Sequence, residues 1–131
     1  MDRRIDYSFF HWGPFLYRTI MLKEEINEIK NLCSKENKDY RNNLAGIIKH
    51  EHEIDHKKMF PIIAPYLHSY VQAFIEYNPR PLGNKLELTA AWVNYMTKFE
   101  SNPMHTHDDD LSFVLFTQVP EDLTKRINES T

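Results

Sequence analysis

The sequence predicts an α+β fold in which helices come first, strands follow, and the helices cover one face of a sheet. Apolar residues recur at helical spacing through residues 23–78, and the apolar pattern changes to a period of two in residues 86–119. A proline, glycine and asparagine cluster, NPRPLGN at 78–84, separates these regions. The length of 131 residues predicts a single domain, 1–131.

Helical periodicity predicts the N-terminal elements. Residues 23–35 form the first predicted helix, with apolar residues at helical spacing and two glutamates in the first turn, which suits the helix dipole. A second helical pattern begins at Leu44 and runs into the histidine-rich window that follows. The third helix covers residues 59–77, with Pro61 and Pro65 near its start, where proline is tolerated best.

The second part of the chain has strand character. Residues 86–96 predict a strand with Trp92 and Asn94 on one face, and residues 111–119, LSFVLFTQV, predict another. Pro120 opens a short C-terminal helix. Because two strands are too few for an independent sheet, either residues 7–20 add strands or the sheet is incomplete.

Charge and composition exclude several classes of partner. The 16 Lys and Arg residues against 19 Asp and Glu residues give a net charge of -3, which predicts no nucleic-acid or membrane partner. The apolar N-terminal run is interrupted by Gly13 and Pro14 and is too short for a membrane span, so we expect a cytoplasmic protein. The single cysteine, Cys33, cannot form an internal disulfide, and we expect it to be a packed residue.

The string HEIDH at residues 52–56 has the form of the zinc-peptidase signature H-E-x-x-H. On a helix, His52 and His56 would share one face, and Glu53 would polarise the attacking water. The best downstream third ligand is Glu76, which lies in a different helical segment. Charged residues inside and after the match, including Asp55, favour a solvated helix end, so the zinc-peptidase interpretation is the weaker one.

The second histidine cluster, HTHDDD at residues 105–110, predicts different chemistry. In an extended chain His105 and His107 point the same way, and Asp109 joins them if the extension persists. Two nitrogen ligands and a carboxylate with open coordination positions are the ligand set of non-haem Fe(II) oxygenases. The alternative is a charged loop in which Asp108, Asp109 and Asp110 only make the turn soluble.

The region from residue 90 to 123 carries several motifs in a fixed order: W-x-N, then H-x-H-x-x-D-L-S-x-V, then a strand that ends at proline. The matching residues are Trp92, Asn94, His105, His107, Asp110, Leu111, Ser112, Val114 and Pro120. In this it resembles the central region of the 2-oxoglutarate and Fe(II)-dependent oxygenases often encoded by marine bacteriophages. Residues 42–55 are similar to the helical lead-in of that family, so the resemblance covers about residues 40–123.

The resemblance implies a partial double-stranded β-helix, or jelly roll, and an Fe(II) and 2-oxoglutarate-dependent dioxygenase that hydroxylates a small molecule or a protein side chain. It implies iron near His105 and His107, with Asp110 as the carboxylate and Asp109 as its alternative. In another register, His105 is the first ligand and His107 takes the carboxylate's place. Asn94 is the implied 2-oxoglutarate contact, and the resemblance also allows ascorbate as an accessory reductant.

One departure from the family pattern concerns the distal part of its active site. Oxygenases of this type carry a later histidine ligand and an arginine that anchors the co-substrate, whereas here no histidine follows His107 and Arg126 is the one later arginine. We therefore expect a truncated enzyme resembling the N-terminal two-thirds of the domain, with self-association or a complementing C-terminal fragment. The alternative is a non-catalytic binding or interaction remnant of the fold.

Overall fold

A computed structural model of the chain describes residues 3–10, 13–79 and 85–129. Helices and short antiparallel strands alternate along it, which confirms the α+β class. The elements are β1 (Tyr7–Phe10), β2 (Leu16–Thr19), α1 (Lys23–Leu32), a 3-10 turn (Arg41–Asn43), β3 (Glu51–Glu53), α2 (His56–Tyr77), β4 (Trp92–Asn94) and α3 (Glu121–Glu129).

The N-terminal strands form a hairpin against α2. β1 and β2 pair antiparallel, with Tyr7 opposite Thr19, so residues 7–20 do contain strands. The strands make a two-stranded sheet of their own instead of extending the sheet of β3 and β4. Phe15 fixes the hairpin to α2, because its ring lies 5.4 Å from that of Tyr70 and 5.3 Å from that of Phe74, both edge-on.

The core lies between α1, α2 and the residues that flank β3 and β4. α1 packs on α2, and the buried side chains of the cluster are Ile29, Ile54, Met59, Ile63 and Ala91. Cys33 packs against this cluster as a free cysteine, as expected. Its thiol donates a hydrogen bond to the carbonyl of Ile29 at 3.3 Å. Burial raises the pKa of the Cys33 thiol. The first and third predicted helices are thus confirmed, and both contribute to the core.

The start of α2 is set by Asp55. Its side chain accepts hydrogen bonds from the backbone N–H groups of Lys57 and Lys58, at 3.0 and 3.3 Å, and so caps the helix. Because the helix begins at His56 rather than at residue 59, Pro61 and Pro65 lie inside it and not in its first turn. Within the described residues, no helix is long and apolar enough to cross a membrane.

The second predicted helix is wrong. After the 3-10 turn at Arg41–Asn43 the chain is extended and enters β3, which pairs with β4 so that Glu51 lies opposite Asn94. Ile48 is buried whereas Ile47 is 73% exposed, so these two residues alternate in burial as strand residues do. On its other side β3 contacts the segment around Asp39, since Glu53 N–H donates to the Lys38 carbonyl at 2.8 Å.

The predicted strands are only partly formed. Residues 86–96 contain a strand over Trp92–Asn94 alone, and residues 111–119 form no strand. In that second segment Val114 and Phe116 are exposed, at 79% and 74%, because no described element covers them. The short helix after Pro120 is confirmed as α3, and its first turn carries Glu121 and Asp122.

We expect Asp55→Ala to lower the free energy of unfolding by about 1 kcal/mol, because the change removes the acceptor for two N–H groups at the start of α2. Urea denaturation followed by circular dichroism measures the effect. Asp55→Asn is the matched control, because asparagine is an equally good capping residue and should retain most of the stability. Equal losses for both variants would contradict the capping role.

Candidate functional site

β3 places two buried polar side chains on opposite faces of its sheet. Glu51 is 1% exposed and His52 is 9% exposed, and as neighbours in a strand they point in opposite directions. Glu51 lies directly opposite Asn94, and residues paired in this way on antiparallel strands share a face. One face therefore carries Glu51 and Asn94, and the other carries His52.

The Glu51 carboxylate is the most unusual group in the described structure. Both of its oxygens are buried and have no hydrogen-bond partner among the described residues, and the same is true of Asn94 Oδ1. Burial raises the pKa of Glu51; the negative charge of Asp39 raises it further, Arg41 opposes this, and Glu100 adds to it. Three acceptor oxygens thus meet on one face with no donor to satisfy them.

Gly46 borders this group of oxygens. A Cβ at Gly46 would lie 3.0 Å from Glu51 Oε1 and 3.2 Å from the Cδ1 atom of Ile48, closer than side-chain carbons normally come. The same position is 3.5 Å from Asn102 Oδ1, so the side-chain oxygen of Asn102 and the buried carboxylate both border Gly46. Residue 46 therefore has no room for a side chain unless the Glu51 carboxylate or the Ile48 side chain shifts.

The two neighbouring carboxylates, unlike Glu51, are well satisfied. Asp39 receives the guanidinium of Arg41 on both oxygens, with Nη2 to Oδ2 at 2.6 Å and Nε to Oδ1 at 3.0 Å. These hydrogen bonds lower the pKa of Asp39 to about 2. Glu100 accepts from the N–H groups of Thr97 and Lys49, at 2.7 and 2.8 Å, which lowers its pKa as well. Both groups are therefore charged at neutral pH, and the negative charge of each raises the pKa of Glu51.

The HEIDH string does not have zinc-peptidase geometry. That site needs both histidines on one helix face, but His52 lies in β3 and His56 is the first residue of α2. Since the carbonyl of Asn37 can only accept, the 2.9 Å contact makes His52 Nδ1 the protonated nitrogen, and Nε2 is buried with no partner in the described residues. Glu76, the predicted third ligand, accepts a hydrogen bond from the Tyr7 hydroxyl at 2.7 Å. The helical premise of this interpretation is wrong.

The second histidine pair lies in the exposed segment that follows β4. The ring centroids of His105 and His107 are 4.8 Å apart, so the two imidazoles are neighbours, as their spacing predicts. His105 Nδ1 is 2.7 Å from the carbonyl oxygen of Pro103, which makes Nδ1 the donor and leaves the lone pair on Nε2. The His107 ring stacks on Trp92 at 6.4 Å, and Trp92 stacks on Tyr40 at 5.5 Å.

The carboxylates that follow are not gathered around these imidazoles. Asp109 Oδ2 accepts from the hydroxyl of Thr89 at 3.1 Å, and Asp108 and Asp110 are exposed in the same bend. Across the described part of the chain, no three His, Cys, Asp or Glu side chains are close enough to hold a metal ion together. Two of the implied ligands are therefore adjacent, whereas the carboxylate has to move to join them.

Sequence reasoning missed Glu51 and placed Asn94 in another role. Asn94 lies in β4 with Trp92, as predicted, but the group directly across the sheet from it is Glu51. No local pattern identifies Glu51, because its burial depends on pairing with a strand some 40 residues later in the chain. The polar repeat HEHE at residues 50–53 has the period of two that a strand requires, and it is the one sequence signal that could have shown β3.

Comparison of the chain with protein-family models, curated proteins and solved structures finds no match. The resemblance to the 2-oxoglutarate and Fe(II)-dependent oxygenases therefore rests on the motif residues in this sequence.

We expect Glu51→Gln to raise the free energy of unfolding at pH 7 by about 1–3 kcal/mol in buffer with EDTA, because it removes an unpartnered buried charge. The folded pKa of Glu51 is raised, so the folded state binds more protons than the unfolded state, and wild-type stability falls as pH rises through that pKa. The advantage of the variant should therefore shrink below about pH 4.

Urea denaturation at pH 4 and pH 7 measures this difference. Glu53→Gln is the matched control, since Glu53 is in the same strand but only half-buried, and its effect should stay within about 0.5 kcal/mol. A wild-type protein more stable than Glu51→Gln at pH 7 would show that the buried carboxylate is not a source of instability.

Proposed function

We propose that the chain is an Fe(II)-binding protein of the 2-oxoglutarate-dependent oxygenase type, with the sheet of β3 and β4 as part of a double-stranded β-helix. His105 and His107 supply two nitrogen ligands, and Asp110 or Asp109 supplies the carboxylate. The observation that carries the proposal is the contact of His105 Nδ1 with the Pro103 carbonyl beside a second imidazole.

This contact has the form that metal-binding histidines adopt. Such a histidine donates its other ring N–H to a carbonyl or carboxylate, which fixes the tautomer and directs the remaining nitrogen at the metal. In His105, Nδ1 takes the donor role, so Nε2 is the atom offered to a metal. His107 is held from the side by the Trp92 ring, which limits its rotation. Two nitrogens are thus oriented before any metal is bound.

Two carboxylates are candidates for the third ligand, and their contacts distinguish them. Asp109 is held by the Thr89 hydroxyl at 3.1 Å, so its movement toward the imidazoles breaks a hydrogen bond. Asp110 is exposed in the same bend, at residues 108–110, and its side chain makes no hydrogen bond to another described residue. We therefore favour Asp110.

When bound, iron and 2-oxoglutarate would supply the oxidising power for hydroxylation of a C–H bond. The part left to the chain is positioning. His105 and His107 would hold the metal, the amide nitrogen of Asn94 would donate to a carboxylate of the co-substrate, and the Trp92 ring, which stacks on His107, covers one side of that imidazole.

The exposed apolar side chains favour a second candidate, a non-catalytic interaction module. Phe99 and Met104 are 91% and 103% exposed, and Val114 and Phe116, farther along the chain, are 79% and 74% exposed. Apolar side chains in such number on a monomer mark a surface that another protein or a second copy covers. A chain that associates with itself or a partner but binds no Fe(II) would support this candidate.

We expect anaerobic addition of Fe(II) and 2-oxoglutarate to give the visible charge-transfer band of a metal-chelated 2-oxoacid, and His105→Ala to abolish it. The physical reason is the loss of the nitrogen that the Pro103 contact orients. His68→Ala is the matched control, because His68 is an exposed histidine on α2, and it should leave the band unchanged. Absence of the band in the wild-type protein, or its persistence in His105→Ala, would reject the proposal.

A second pair of variants identifies the carboxylate ligand. Asp110→Asn should weaken Fe(II) binding by about 10–100-fold, the range expected when a metal site loses one of its supporting groups. Asp109→Asn should change it much less, because that side chain is already engaged by Thr89. Fe(II) titration followed by the same absorption band measures both. The reverse order would assign Asp109 as the ligand.

A further inference from the structure

A second site for a positively charged ligand lies on the face of the sheet that carries Glu51. Its oxygens are those of the Glu51 carboxylate and Asn94 Oδ1, all buried without a hydrogen-bond partner in the described ranges. Glu51 is 1% exposed, so water does not solvate the carboxylate from the surface. A buried carboxylate without hydrogen-bond donors destabilises the folded state unless a cation binds to it.

The surroundings of Glu51 do not supply that positive charge. Arg41 is a cation that acts on Glu51, but its guanidinium is held on Asp39 by hydrogen bonds to both carboxylate oxygens. Asp39 and Glu100, the other charged groups that act on Glu51, are both negative. His52, its neighbour in β3, points to the opposite face of the sheet. The local field is therefore negative and attracts a cation.

We propose that Glu51, Asn94 and Asn102 form a binding site for a hard divalent cation of the Ca²⁺ or Mg²⁺ kind. The donors are a carboxylate and two amide oxygens, and these ions bind through oxygen. Asn102 belongs to the site because its Oδ1 atom and Glu51 Oε1 both border the space beside Gly46, at 3.5 and 3.0 Å from one point. Since Asn102 is exposed, water can complete the coordination shell from that side.

This site differs in chemistry from the histidine pair. Its ligands are oxygens only, whereas His105 and His107 offer imidazole nitrogens, which transition metals accept and Ca²⁺ does not favour. β4 links the two sites, because Trp92 stacks on His107 and Asn94 lies opposite Glu51. Binding at the oxygen site thus neither requires nor excludes Fe(II) at the other, and the two can be tested separately.

A proton is the competing occupant of the Glu51 carboxylate. A protonated Glu51 can donate to Asn94 Oδ1, which satisfies that oxygen but leaves the other carboxyl oxygen without a donor. A divalent ion contacts all of these oxygens at once. Because proton and metal compete for the same carboxylate, binding of the metal strengthens as pH rises through the titration of Glu51.

The test is calorimetric titration of the full chain with Ca²⁺, and separately with Mg²⁺, at pH 7.5. We expect the wild-type protein to bind one equivalent of at least one of these ions and to melt at higher temperature in its presence. Glu51→Gln should lose binding by at least about tenfold, because it replaces the one charged ligand with an amide of the same shape. Glu53→Gln and His68→Ala should bind as the wild type does.

Gly46→Ala provides a second, independent variant. Its methyl group would lie 3.0 Å from Glu51 Oε1 and 3.5 Å from Asn102 Oδ1 and would displace the carboxylate, so it too should weaken Ca²⁺ or Mg²⁺ binding while Glu51 is retained. The proposal is overturned if neither ion binds the folded wild-type protein at millimolar concentration, or if Glu51→Gln binds as tightly as wild type. Failure here leaves the Fe(II) band of His105 and His107 intact, so the two proposals fail separately.

Discussion

The pairing of β3 on both sides is the constraint on which the rest of the structure depends. β3 has only three residues, but Tyr40 N–H donates to the Glu51 carbonyl on one side, and Glu51 pairs with Asn94 on the other. Because side chains alternate along a strand, this register sends Glu51 to one face and His52 to the other, and a shift of one residue would exchange them. The buried carboxylate and the loss of zinc-peptidase geometry thus have the same cause.

The residues directly after β3 connect the sheet to the core. Ile54 is buried and its N–H donates to the Ala91 carbonyl at 2.9 Å, and the next residue, Asp55, caps α2. Sheet pairing, core burial and helix initiation therefore follow one another within five residues. The apolar burial of this junction, which continues through Met59 and Ile63, compensates for the unfavourable burial of Glu51. A polar group without a partner is retained in a small fold only where apolar packing exceeds its cost.

The parts of the fold that the sequence predicts are those with local causes. α1, α2 and α3 follow from apolar periodicity, charges in the first turn and proline position, all of which act within a few residues. β3 could not be predicted in this way, because its partner strand begins at Trp92. Residues 111–119 show the reverse error. Their apolar and β-branched composition fits a strand, but a strand also needs a partner strand, and residues 111–119 pair with none among the described residues.

In the candidate site too, some features follow from the local sequence and others depend on the fold. The closeness of His105 and His107 follows from their spacing alone, whereas the Pro103 contact and the Thr89 contact to Asp109 depend on how the segment after β4 is folded. Asn94 shows why residue type alone was insufficient. As a lone amide it suits a carboxylate co-substrate, but facing Glu51 its oxygen joins a group of acceptors, and such a group selects a cation. β4 carries Trp92, which stacks on His107 of the proposed nitrogen site, and Asn94, which lies opposite Glu51 of the proposed oxygen site. The chemical difference between these donors would decide which metal each site accepts.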